Sequence, residues 1–245
     1  MVCVKINAMM YQMKFVLQKT VKLTTYLSFF LLLACGEKAA IELENQTTKS
    51  EVKQNAITIL ALGDSLTEGL GVAKDQNYPA LLEQKLKQKG HKNIKVVNSG
   101  LSGETSSGLK ARIDWVLQTS PDITILTIGA NDAMRGLPTD LMEQNIAEII
   151  EKLQASGSKV ILGGMQIYDN LGKKYVTEFN AIYTRLAAQY EVPLMPFFLD
   201  GVAGDSKLNQ ADGIHPTTEG YAVIVEQNIL PKLLPLLEAT AKAQK

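Results

Sequence analysis

Cysteine is almost missing from this chain: Cys3 and Cys35 are the only two in 245 residues. The sequence beyond Cys35 can therefore form neither an internal disulfide nor a thiolate metal site. Histidine is as scarce. With His91 and His215 as the only imidazoles, a catalytic zinc site is disfavoured and no cofactor is expected. Neither sign of charge is in excess, since Lys plus Arg and Asp plus Glu both number 25. No positive field is available to hold a phosphate backbone, so nucleic acid is not an expected partner. The apolar stretch from Leu23 to Ala34, about 12 residues, is too short to span a bilayer comfortably as a helix. No repeat of solenoid length is visible. What is present is 46% hydrophobic and 20% charged, with one continuous pattern in the main part, enough for one globular core.

Lys14, Lys19 and Lys22 precede the apolar stretch in the manner of an export signal, with Met13 a suitable start. Leu32-Leu33-Ala34-Cys35-Gly36 resembles a bacterial lipobox, where cleavage leaves a cysteine that carries lipid. Leu33 departs from the small or β-branched residue usual there, and plain secretion is the competing reading. Residues 36–55, rich in Glu, Lys, Gln, Asn and Thr, read as a flexible tether. The expected organisation is a signal over 1–35, a linker over 36–55 and one domain over 56–245. The expected location is the bacterial cell envelope, as a periplasm-facing lipoprotein, or otherwise secreted or periplasmic.

Ile57 to Gly63 is an apolar, β-rich run of the kind buried on both faces of a parallel sheet, and it stops at Gly63-Asp64-Ser65. Ligands of open α/β sheets bind beyond the carboxyl ends of strands, which makes Ser65 the first candidate for chemistry. Alone, these three residues would serve equally as a turn and helix cap. Further strands are expected at Lys95 to Asn98, Ile123 to Ile128, Lys159 to Leu162 and Val192 to Phe197. Tyr78, Leu81, Leu82 and Leu86, then Met142, Ile146, Ile149, Ile150 and Leu153, then Phe179, Ile182, Tyr183, Leu186, Ala187 and Tyr190 recur at helical spacing. A last helix is expected from about Thr217, with Pro216 in its first turn and Pro231 and Pro235 breaking or kinking it. Alternating strands and helices imply a three-layer α/β/α sandwich around a five-stranded parallel sheet. The expected order is 2-1-3-4-5, the flavodoxin-like pattern.

That order brings the loops after strands two, one and three to one crevice, carrying Gly103, Ser65 and Asn131. A serine hydroxyl needs an adjacent base, and His215 is the histidine with a carboxylate, Asp212, one turn away. Asp212 would hold the imidazole in the right tautomer. The amides of Ser65 and Gly103 and the side-chain amide of Asn131 would receive a developing oxyanion. Asp64 and Asp132 read as structural, bonding loop amides, and His91 as a solvent-exposed, idle turn residue. The loop Ser99 to Gly108 lacks the lysine of a nucleotide-binding loop, which sets a phosphate-loop reading aside.

Gly63-Asp64-Ser65-Leu66, Gly103, Gly129-Ala130-Asn131-Asp132 and Asp212-Gly213-Ile214-His215 stand in the order of the SGNH (GDSL-type) hydrolases. The chain resembles that family over most of residues 57–230. Asn131 to Leu137 and Val192 to Phe198 are similar to the branch of bacterial acyl-CoA thioesterase I, or lysophospholipase L1, which also holds arylesterases. The resemblance implies Ser-His-Asp hydrolysis of a small-molecule acyl ester, such as an aryl ester, lysophospholipid or acyl thioester, without metal or organic cofactor. Leu137, Met165, Ile167 and Tyr168 are the residues expected to line an acyl groove. A sugar O-acetyl esterase and a lipid-binding lipoprotein without turnover are the competing functions. The protein is expected to act as a monomer and to touch the membrane through lipid on Cys35.

Overall fold

The computed structural model describes residues 56–243. The expected export signal, Cys35 and the expected linker lie outside the described residues. Five strands, β1 (Ile57–Gly63), β2 (Ile94–Gly100), β3 (Ile123–Thr127), β4 (Lys159–Gly163) and β5 (Leu194–Met195), pair in parallel in the order β2-β1-β3-β4-β5. The helices are α1 (Ser65–Glu68), α2 (Tyr78–Gln88), α3 (Ser106–Val116), α4 (Ala130–Met134), α5 (Thr139–Ala155), α6 (Lys173–Gln189), α7 (Thr218–Val223) and α8 (Leu230–Ala243). In one layer α5 packs between α3 and α6, and in the other α2 packs on α7.

The central strands explain why the sheet forms. Every residue of β3 is buried, and β1 is buried at all positions but Thr58. Each fully buried aliphatic side chain there contributes about 1.5–3 kcal/mol, which requires cover on both faces. Tyr78, Phe198 and Tyr221 close the core below the site, the first two ring edge to ring face at 5.4 Å. The outer edge of β2 is partly occupied by a side chain: Glu83 of α2 accepts from the Val96 amide at 2.7 Å.

Two local expectations are corrected. The fifth strand pairs only at Leu194 and Met195, because Pro193 and Pro196 flank them and proline has no amide to give the ladder. The last helix does not hold Pro216 in its first turn. Thr217 caps it, accepting from Gly220 N at 3.2 Å, and Pro216 stands before the cap. Ahead of Pro231 the turns of Ile224–Ile229 widen to a π-helix, with Leu230 N bonding Val225 O, and the chain continues as α8 with Pro235 inside it. A proline ring that would clash with a carbonyl one turn back is accommodated by such widening.

Candidate active site

The site is built at the carboxyl edge of the sheet, starting from the end of β1. Gly63 must lack a side chain, since a Cβ there would lie 2.2 Å from the Thr127 carbonyl oxygen. That close approach lets β3 press directly on the start of α1. Asp64 caps α1 by accepting from Leu66 N at 3.1 Å, which makes Ser65 its first residue. Beneath it, Thr67 Oγ1 and Thr127 Oγ1 share a buried hydrogen bond of 2.8 Å.

Ser65 Oγ lies 2.8 Å from His215 Nε2, and His215 Nδ1 lies 2.7 Å from Asp212 Oδ2. Both residues stand in the loop ahead of α7, which is closed by an antiparallel bridge between Asn209 and Pro216. Within it Asp212 Oδ1 accepts from Ile214 N at 2.9 Å and His215 N at 3.0 Å, so the carboxylate is aimed by its own backbone. The His215 amide, the ring and the Ile214 amide together hold the Asp212 carboxyl down to about 2. It stays ionised at neutral pH. Gln210 fastens this loop to the segment just after α1, its Nε2 donating to Leu70 O at 2.8 Å and Pro216 O at 2.9 Å.

Asn131 stands in α4, buried, with Nδ2 3.4 Å from Asp64 Oδ2. The turn before it is held by Tyr183, whose hydroxyl donates to Ile128 O at 2.9 Å. Burial pushes the Asp64 carboxyl up to about 6, against the Leu66 amide, the His215 ring and the Asn131 amide, which all favour its ionised form. Asp132 accepts from Ser106 N at 2.8 Å and Ser106 Oγ at 2.6 Å, pinning the start of α3 to the loop after β3. Gly103 has φ +76°, a left-handed conformation open to glycine at little cost, and its carbonyl accepts from Arg135 Nη2 at 2.7 Å.

The four residues expected to line a groove have different fates. Met165 is 3% exposed and packs in the core, Leu137 and Ile167 are half-buried, and Tyr168 is 75% exposed. Sequence reasoning passed over a more accessible set. Leu101, Met134 and Ile214 are 52%, 60% and 43% exposed, on the segments that carry Gly103, Asn131 and His215. Their signal was present as single large apolar residues among small or polar neighbours. His91 is partly buried at the opposite, amino edge of β2. A separate cavity of about 560 Å³, lined by Lys74, Asn77, Glu83 and Asn98 among others, lies against β2 and α2 and includes none of Ser65, Asp212 and His215. Among the described residues no group of three or more His, Cys, Asp or Glu side chains is placed to hold a metal.

The chain is 39% identical over 183 residues to Esterase TesA of Pseudomonas aeruginosa, covering 74% of this chain and 90% of that protein. It is 35% identical over 172 residues to Thioesterase 1/protease 1/lysophospholipase L1 of Escherichia coli, covering 70% of this chain and 81% of that protein. Its fold is similar to the crystal structure of the psychrotrophic esterase EstA from Pseudoalteromonas sp., inhibited by monoethylphosphonate, with a TM-score of 0.69 and 30% identity over 74% of this chain and 98% of that one. With residues 61–223 matching the model of the GDSL-like Lipase/Acylhydrolase family, a span that contains Ser65, Gly103, Asn131, Asp212 and His215, the chain belongs to that family.

Proposed function

We propose that this carboxylic ester hydrolase works through Ser65 as nucleophile, His215 as general base and Asp212 as the group that orients the ring, on esters carrying an acyl chain. The observation that supports this most is the continuous hydrogen-bonded path from Ser65 Oγ through both nitrogens of His215 to Asp212. In this reading His215 Nε2 takes the Ser65 proton as Oγ attacks the ester carbonyl. The Asp212 carboxylate stabilises the imidazolium that forms. Negative charge on the carbonyl oxygen is met by the Ser65 and Gly103 amides and by Asn131 Nδ2. His215 then returns the proton to the leaving group, leaving an acyl-enzyme, and water repeats the sequence to free Ser65 and the acid.

The apolar side chains exposed on the segments that carry these groups, Leu101, Met134 and Ile214, support an acyl rather than a sugar substrate. The named relatives, an esterase and a thioesterase/lysophospholipase, support the same class. Each buried methylene adds about 0.8 kcal/mol, roughly a fourfold gain. Accordingly kcat/KM should rise from p-nitrophenyl acetate through butyrate to octanoate, measured below the aggregation limit of each. A steep fall beyond acetate would support a small-pocket sugar O-acetyl esterase instead.

The reading also includes export, cleavage before Cys35 and lipid attachment there, supported by Leu32-Leu33-Ala34-Cys35-Gly36. The domain would then act at a membrane of the cell envelope. Labelled palmitate should enter the wild-type protein and be lost in Cys35→Ser. Unlabelled wild-type protein in the medium would favour simple secretion.

A further inference from the structure

The loop that carries Gly103 runs from β2 to α3 with few backbone bonds. Leu101 N ties it to Gly63 O at 3.0 Å, and its one internal turn bond runs from Glu104 N to Leu101 O at 3.1 Å. An amide serves an oxyanion only if it is already aimed when charge develops. Among the described residues the Gly103 N–H has no protein acceptor, so nothing bonded to it directly holds its direction.

The peptide units on either side are held. Before it, Ser102 N donates to Glu68 Oε2 at 2.7 Å, and the Ser102 hydroxyl bonds the same carboxylate. After it, the Gly103 carbonyl is held by Arg135 at 2.7 Å. One residue further, Glu104 forms a two-point ion pair with Arg112, Oε1 to Nε and Oε2 to Nη2 both at 2.6 Å. The same guanidinium reaches Ser99 Oγ and Ser99 O at 2.8 Å each, joining the end of β2 to α3. The Glu104 side chain is 3% exposed and that of Arg112 19%. An exposed ion pair would fix little, but a desolvated two-point pair has one geometry. Residues 102, 103 and 104 are thus each held by a charged side chain from a different part of the chain, around the one peptide whose N–H is left unbonded.

We infer that Glu104, Arg112 and Arg135 are positioning residues of the esterase reaction, aiming the Gly103 amide at the oxyanion without touching substrate. This rests on the reading of the site given above. Glu104→Gln removes one charge from the buried pair, while Arg135→Ala cuts an exposed anchor and carries the test should Glu104→Gln fail to fold. The two variants are assayed on p-nitrophenyl butyrate per active site titrated with a phosphonate, and for inhibition by an alkylboronic acid that becomes a tetrahedral anion on the serine. Because a misplacement of about 1 Å can cost on the order of 10²-fold, kcat should fall about 10-fold to 10²-fold. Boronate affinity should fall by the same factor, with KM changed less than about twofold. Arg135→Lys, which keeps a donor, should recover most of the loss.

A lowered Tm with kcat per titrated site unchanged would make these residues merely structural and overturn the inference. A rise in KM alone would make Arg135 a substrate contact and overturn it equally. The Gly103 amide resonance in a ¹⁵N spectrum reads the same placement without turnover: it should move in Arg135→Ala and return in Arg135→Lys. An inactive wild-type protein would sink the esterase reading, and that resonance would still decide whether the loop is held as argued.

Discussion

Replacing Ser65 by alanine is expected to lower kcat by about 10⁴-fold to 10⁶-fold, the scale on which serine hydrolases lose activity with their nucleophile. The geometry leaves little room for a substitute. Ser102 sits on the Glu68 carboxylate, and Ser106 is fully buried with its hydroxyl on Asp132. Among the described residues only the Ser65 hydroxyl is hydrogen-bonded to an imidazole, at 2.8 Å from Nε2. A fluorophosphonate should therefore form one covalent adduct, on Ser65, and Ser65→Ala should abolish it. An adduct on Ser102 or Ser106, or a loss of less than about tenfold in kcat, would move the reacting centre elsewhere.

His215→Ala should cost more than Asn131→Ala, and the difference separates the two roles. Losing one oxyanion donor costs about 10²-fold to 10³-fold in kcat. Losing the base leaves Ser65 as an unactivated alcohol, which should cost at least about 10⁴-fold. The pH profile adds a check. A carboxylate held down to about 2 is ionised throughout the working range, so an acid limb of kcat/KM above pH 4 cannot belong to Asp212. The measurement is kcat across both variants with burst titration of folded sites. Equal, small losses would mean that this crevice is not where the ester reacts.

How much of this was legible in the sequence depends on the distance over which each signal acts. The strands of the sheet centre announce themselves, because residues such as Ile59, Leu62, Ile125 and Leu126 must be apolar whichever face they take. The family resemblance rests on four short blocks, each readable locally, and the chain does belong to that family. What escaped is what pairs across the chain. Gln210 meets Leu70 across 140 positions and Arg135 meets Gly103 across 32, with no spacing rule to reveal either. Met165 shows a different limit: hydrophobic composition marks a residue as fit for core or groove alike, and here it packs in the core. The short β5 was readable in principle, since Pro193 and Pro196 already forbade a longer ladder.

The Gln210 fastening has a consequence for the timing of activity. Ser65 and His215 stand 150 positions apart, and the loop that carries His215 is tied to Leu70, just after α1, by that one amide side chain. A chain made from its amino terminus completes β1 and the serine long before the segment around His215 exists. On the proposed roles of Ser65 and His215, Ser65 is an unactivated alcohol until that segment docks. Esterase activity would then report on the completion of folding.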